Sequence, residues 1–126
     1  MKKVIQTELA PKAIGPYSQA VDVGNTVYCS GQIALDPTTM TLVSDDIAAQ
    51  AIQVLTNLQT VITAAGGRLE DVVKLTIYLT DLADFAVVNN VMTQFFNPPY
   101  PARTTVAVAA LPKEAKLEID AIMVKR

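Results

Sequence analysis

The chain has 126 residues, 51% of them hydrophobic and 17% charged, and a formal net charge of −2. That length builds one core, so a single domain over residues 1–126 is expected, and the apolar fraction excludes a disordered chain. Histidine is absent and Cys29 is the only cysteine, which removes Ser-His-Asp and Cys-His catalysis, zinc sites built on imidazole, and intrachain disulfides. The ten lysines and arginines are scattered along the chain and build no stripe, so general attraction to nucleic acid is not expected. An apolar fraction this high in so small a domain reads either as an alanine-rich surface or as apolar surface buried against other subunits, the second being the expectation. "MKKVIQTELA" is basic but lacks the long apolar run of a secretory signal. No apolar segment is long enough to span a bilayer, so a soluble protein of a reducing compartment is the expectation.

Residues 3–7 read as an edge strand. "SQAVDV" and "TVYCSGQIAL" flank Gly24-Asn25 and read as a hairpin. The period then changes. "SDDIAAQAIQVLTNLQTVITAAGG" puts Ile47, Ala51, Leu55, Leu58, Ile62 and Ala65 on one helical face, with Ser44, Asp45 and Asp46 at its start and Gly66-Gly67 at its stop. "DVVKLTIYLTD" alternates, Val73, Leu75, Ile77 and Leu79 against Lys74, Thr76, Tyr78 and Thr80, and predicts a strand. "ADFAVVNNVMTQFF" returns to helical spacing through Phe85, Val88, Met92 and Phe95, and "RTTVAVAAL" and "KLEIDAIMV" are two further strands. The order β-β-β-α-β-α-β-β predicts an α+β domain with its helices on one face of a sheet.

Strand parity places the candidate chemistry. Leu117, Ile119, Ala121 and Met123 share the dry face of the last strand, and Glu118, Asp120, Ile122 and Val124 the other. The more apolar face of each strand, Thr104, Val106, Val108 and Ala110 in "RTTVAVAA", is expected to meet the helices, which puts Arg103 and Thr105 with Glu118, Asp120 and Tyr78 on the opposite face. A face polar at one end and apolar at the other suits a subunit interface with a site at its rim.

Arg103, opening a strand after "PYPA", reads either as a surface ion-pair partner or as a bidentate fork for a carboxylate. Glu118 reads as a solvated strand residue or as an acid–base group, since a chain without histidine must find one among Glu, Asp, Tyr, Lys or water. Ser30-Gly31-Gln32 ends a strand on a glycine, where a ligand can approach backbone. By itself Asn89 reads as a helix-surface amide, Tyr17 as a packing residue and Cys29 as a small buried hydrophobe. No phosphate loop, dinucleotide fingerprint or metal-ligand cluster is present.

Six stretches together carry a resemblance: "AIGPYSQAV" (13–21), "VYCSGQIALDP" (27–37), "AAQAIQVLTNLQTVITAAGG" (48–67), "DFAVVNNVMTQFF" (84–96), "PYPARTTVAVAALP" (99–112) and "KLEIDAI" (116–122). In that order they resemble, nearly end to end, the RidA/YjgF family of reactive-intermediate deaminases. The resemblance implies a chorismate-mutase-like single domain: a mixed sheet with two helices on one face, in a homotrimer around a central β-barrel with clefts between subunits. It implies a cytoplasmic enzyme needing no metal or organic cofactor. That enzyme would hydrolyse 2-imino acids such as 2-iminobutanoate and 2-iminopropanoate to 2-oxo acids and ammonia, sparing pyridoxal-phosphate enzymes.

Carried over residue by residue, the family's carboxylate-binding arginine falls on Arg103 and its water-handling glutamate on Glu118. Its cleft tyrosine falls on Tyr17, its ligand-bordering glycine on Gly31 beside Ser30, and the asparagine of its second helix on Asn89. Thr105 stands where many deaminating members have cysteine. Two other readings compete: a non-catalytic trimer that binds small carboxylates, and the ribonuclease or translation-inhibitor role ascribed to relatives.

Overall fold

The structure, a computed structural model, describes residues 2–126. Strands β1 (Lys3–Ile5), β2 (Ala20–Asp22) and β3 (Thr26–Gln32) precede helix α1 (Ile47–Ala64). Strand β4 (Val72–Leu79), helix α2 (Phe85–Met92), β5 (Ala102–Ala107) and β6 (Leu117–Val124) follow. This is the order the sequence predicts. β1 is the expected edge strand, and β2 and β3 pair antiparallel across Gly24-Asn25.

The six strands form one mixed sheet in the order β1-β2-β3-β6-β4-β5. β6, last in the chain, enters between β3 and β4 and runs antiparallel to both, so β3 and β4 run the same way. β5 continues parallel to β4. The links through α1 and through α2 therefore join parallel strands and step across the sheet in the same direction. Crossovers of one hand then put both helices on one face, and the helices pack on each other there.

α1 starts where the Asp46 carboxylate accepts from the Ala49 N–H at 2.9 Å, the side-chain cap that "SDD" predicts. It stops before Gly66, whose φ of +87° is the left-handed conformation glycine adopts without strain. Of its expected inner face, Ala51, Leu55, Leu58, Ile62 and Ala65 are buried, and Ile47 only half so. They meet Val27, Leu75, Ile77, Leu79, Leu117, Ile119 and Met123 from the sheet. Two amides lie in the same stripe. Gln50 is 0% exposed and Asn57 1%. Asn57 Nδ2 donates to the Leu35 carbonyl at 3.0 Å, just beyond β3. Gln50 Nε2 donates to the Ser44 carbonyl at 2.8 Å, and its Oε1 accepts from the Lys116 N–H at 2.9 Å, just before β6. One helix thus clamps the exit of β3 and the entrance of β6.

Two expectations of strand parity need correction. Val73 does not join Leu75, Ile77 and Leu79 inside: it is 46% exposed. Val72 pairs with Met123 and Lys74 with Ile122, so one extra residue sits on β4 and the bulge turns Val73 outward. The second correction concerns β5. Its register is Leu75↔Arg103, Thr76↔Thr104, Ile77↔Thr105 and Tyr78↔Val106. Paired residues share a face, so Arg103 and Thr105 lie on the helix side and Thr104 and Val106 on the other. Parity sorts a strand's residues into two sets; only the neighbour's register says which set faces the helices.

The face away from the helices carries Thr76, Tyr78, Glu118 and Asp120, and exposes the apolar side chains of Tyr28, Val73, Val106 and Val124. Gln50→Leu keeps the volume but leaves the Lys116 N–H and Ser44 carbonyl unpartnered, at a cost of about 1–3 kcal/mol for each orphaned group. Its urea midpoint should fall well below that of the exposed control Gln59→Leu; equal midpoints would remove the clamp.

Candidate active site

The β3–β6 ladder carries the first group of candidate residues. Cys29 pairs with Ala121 and Gln32 with Ile119, so Ser30 and Gly31 together oppose Asp120. This bulge bends β3 over the start of β6, and the Glu118 side chain lies against the Gly31 backbone. A Cβ on Gly31 would stand 2.8 Å from Glu118 Cδ and 3.0 Å from its Cγ. Any other residue would push the carboxyl away.

Ser30 holds the adjoining loop: its hydroxyl donates to the Ser18 carbonyl at 2.6 Å, and its N–H to the Gln19 carbonyl at 2.9 Å. Buried Gln19 fastens the preceding turn, accepting from the Thr7 N–H at 2.7 Å and donating to the Thr7 and Pro11 carbonyls at 3.0 and 2.8 Å. Tyr17 stands at the mouth, 53% exposed, its hydroxyl accepting from the Ile14 N–H at 3.3 Å. Tyr17, Ser30, Gly31 and Glu118 wall one cavity of about 490 Å³, with Ile14, Ile33, Leu35 and Met40 as its apolar lining and Lys12 and Lys113 at its rim. That size suits a small ligand. Burial, followed by the Asp120 charge, raises the pKa of Glu118 above the ordinary glutamate value.

The second group lies on α2 and β5. Arg103 Nη1 donates to Asn89 Oδ1 at 2.5 Å and approaches Met92 Sδ at 3.7 Å, and its guanidinium carbon sits 5.2 Å from the Phe85 ring centre, within cation–π range. The side chain is thus held from one flank and exposed on the other. No carboxylate pairs with it among the described residues. It opens on a cavity of about 340 Å³ with Asn89, Met92, Phe96, Tyr100 and Pro101. Two residues along the same strand face, the Thr105 hydroxyl oxygen is buried without a hydrogen-bond partner. Such a group costs free energy until something supplies a partner.

The structure therefore assembles Tyr17, Ser30, Gly31 and Glu118 in one place, and Arg103, Asn89 and Thr105 in another. It does not unite the two sets. Arg103 shares a row with Leu75 and Ala121, whereas Glu118 shares one with Tyr78 and Val106. The rows are three residues apart along β4, the residues two strands apart, and the side chains leave opposite faces. Within one chain they form two separate clusters.

Gln19, Gln50 and Asn57 support the site, and the sequence reading assigns them no role. The signal available for the last two is an amide on an otherwise apolar helical stripe. Cys29 is the buried hydrophobe expected: desolvation, with a lesser push from Asp120, takes its thiol up to about 12. The folded protein should resist iodoacetamide at pH 8 and label once unfolded; rapid native labelling would show an open thiolate.

The endoribonuclease L-PSP family model matches residues 7–125. A 2-iminobutanoate/2-iminopropanoate deaminase of Salmonella typhimurium is 50% identical over 129 residues, covering the whole of both chains. Among solved structures, RidA from an Antarctic Psychrobacter is 54% identical with a TM-score of 0.94, covering 97% of this chain and 98% of that one. Escherichia coli TdcF with bound serine is 46% identical with a TM-score of 0.93, covering 98% and 99%. These matches join the motifs from Ile14 to Ile122 to one conclusion: the chain belongs to the endoribonuclease L-PSP family, in its RidA/YjgF branch.

Proposed function

We propose that this chain is a hydrolytic deaminase that converts 2-imino acids, 2-iminobutanoate and 2-iminopropanoate among them, to 2-oxo acids and ammonia. It works as a single-domain cytoplasmic protein whose sites lie between copies of the chain. The observation that carries the reading is the Arg103 guanidinium, anchored by Asn89 yet free of any carboxylate partner among the described residues. A full-length relative with that activity, 50% identical, supports it.

The chemistry follows from the two clusters brought face to face. Arg103 of one protomer binds the substrate carboxylate by two charge-assisted hydrogen bonds, and Thr105 lies two residues along the same strand face, its hydroxyl buried beneath the surface. From its neighbour, the Gly31 backbone borders the imino end and Tyr17 closes over the short alkyl chain. Glu118 there takes a proton from water as that water attacks the protonated imine carbon. This gives a carbinolamine. The Glu118 carboxyl returns the proton to nitrogen; as the C–N bond breaks, the regenerated carboxylate takes the carbinolamine hydroxyl proton and hands it to the departing ammonia, which leaves as ammonium beside the 2-oxo acid.

A homotrimer supplies the juxtaposition. Three open sheet faces curled around a common axis bury Tyr28, Val73, Val106 and Val124, and a closed cyclic assembly repeats the same junction three times. A ribonuclease reading, which the family description carries, lacks electrostatic support: twelve carboxylates outnumber ten cations and there is no histidine.

The test mixes two disabled variants. Arg103→Ala and Glu118→Gln should each lose at least ~10²-fold in imine turnover, the size of a lost clamp or acid–base group. Refolded together, they should regain about one quarter of the parental rate, the chance that a shared site draws each intact half from the right chain. No recovery on mixing would place both residues in one chain's site. Gly31→Ala, whose backbone an alanine can adopt, should fold normally yet lose turnover by a comparable ~10²-fold through displacement of Glu118; full activity in that variant would detach Gly31 from the chemistry.

A further inference from the structure

Beside Glu118 stands a pair of side chains that the mechanism above does not use. Glu118 and Asp120 are two apart on β6 and leave the same face. Tyr78, on β4, is the cross-strand partner of Glu118. Its hydroxyl reaches diagonally past Glu118 and donates to Asp120 Oδ2 at 3.0 Å. On the other side, the Ser30–Gly31 bulge opposes Asp120. The three side chains thus occupy a corner closed by β3 and β4, with the Glu118 carboxyl turned toward the cavity and Asp120 behind it.

We propose that Tyr78 and Asp120 are positioning residues for the deamination: Tyr78 anchors the Asp120 carboxylate behind Glu118, and that fixed negative charge makes Glu118 the carboxyl that exchanges a proton at the cavity. The inference rests on the deaminase reading and adds to it the electrostatic setting of its acid–base group.

The titratable groups around Glu118 leave this role to Asp120. From β4 there is Tyr78; from β6, Asp120; from β3, Tyr28 on the same face and Cys29 beside the bulge; and in the shared site proposed above, Arg103 of the neighbouring protomer. Lys12, Tyr17 and Lys113 line the cavity from the loops. Of all these, Asp120 alone adds to burial in raising Glu118. The same anchor raises the Tyr78 hydroxyl, chiefly through its bond to Asp120, so it stays a donor through the working range. A negative charge beside a carboxyl favours its protonated form, so removing that charge lowers the midpoint. Glu118 can accept a proton only above its midpoint, so turnover falls as pH drops through it. Losing Asp120 moves that fall to lower pH.

Carboxyl-carbon NMR of protein labelled at glutamate Cδ reads the midpoint without substrate. The chain has four glutamates, Glu8, Glu70, Glu114 and Glu118, and Glu118→Gln identifies the signal. Asp120→Asn should lower the Glu118 midpoint. Tyr78→Phe should lower it less, because the charge is loosened but kept. Asp120→Glu should hold it near the parent. In kinetics, Asp120→Asn should move the acid limb of the kcat/KM profile to lower pH and leave the KM for the imino acid unchanged, with a loss in kcat smaller than the ~10²-fold expected for Glu118→Gln.

Equal midpoints in the parent and Asp120→Asn overturn the proposal. A lowered midpoint with an unmoved pH profile overturns its role in the reaction. Absence of turnover in the parent protein instead overturns the deaminase reading, and the NMR result tells the two failures apart.

Discussion

The parallel register between β4 and β5 governs what this molecule can do. It sets Arg103 beside Leu75 and Thr105 beside Ile77, and so sends the guanidinium toward α2, where Asn89, Met92 and Phe85 receive it. The antiparallel register between β4 and β6 sets Glu118 beside Tyr78 and sends the carboxyl the other way. A shift of either strand by one residue would exchange the faces. With both registers as they are, cation and carboxyl leave opposite faces of the sheet.

The β3 bulge does for Glu118 what α2 does for Arg103. Two residues against one give β3 a local bend, and a glycine at its crest lets a carboxyl rest on the main chain. Such a carboxyl is partly withdrawn from water yet open to the cavity. That position makes its charged form costly enough to raise its proton affinity without sealing it from a substrate. The buried amides of α1 hold both strands at the needed height. Gln50 and Asn57 bond to backbone that would otherwise be unsatisfied where β3 ends and β6 begins. A polar group buried this way is worth little net when paired and costs much when orphaned, so these contacts specify the geometry more than they add stability.

The arginine cluster carries the complementary logic. A guanidinium is planar and permanently charged. One amide acceptor and one aromatic face orient it without consuming the edge that a carboxylate needs. The hydroxyl of Thr105 lies along the same strand face with no partner. A hydroxyl can donate or accept, so this buried oxygen is an unspent polar group beside the arginine.

Much of this was legible in the residues. The change from period two to period 3.6 at Ser44 marked the start of α1, and the cap and glycine stop bounded it to within a few residues. Alternation and the Gly24-Asn25 turn located the strands, and the motifs from Ile14 to Ile122 pointed to the family. These are local properties: a periodicity, a cap or a short motif needs only its own neighbours to be read. The sheet order with β6 at its centre, the bulges that turned Val73 out and brought Gly31 under Glu118, and the face from which Arg103 emerges were settled by pairing between distant segments. Two sets of residues on a strand are equivalent until a neighbouring strand fixes which set meets the helices. That pairing is a long-range fact, so only the tertiary structure could separate the two clusters.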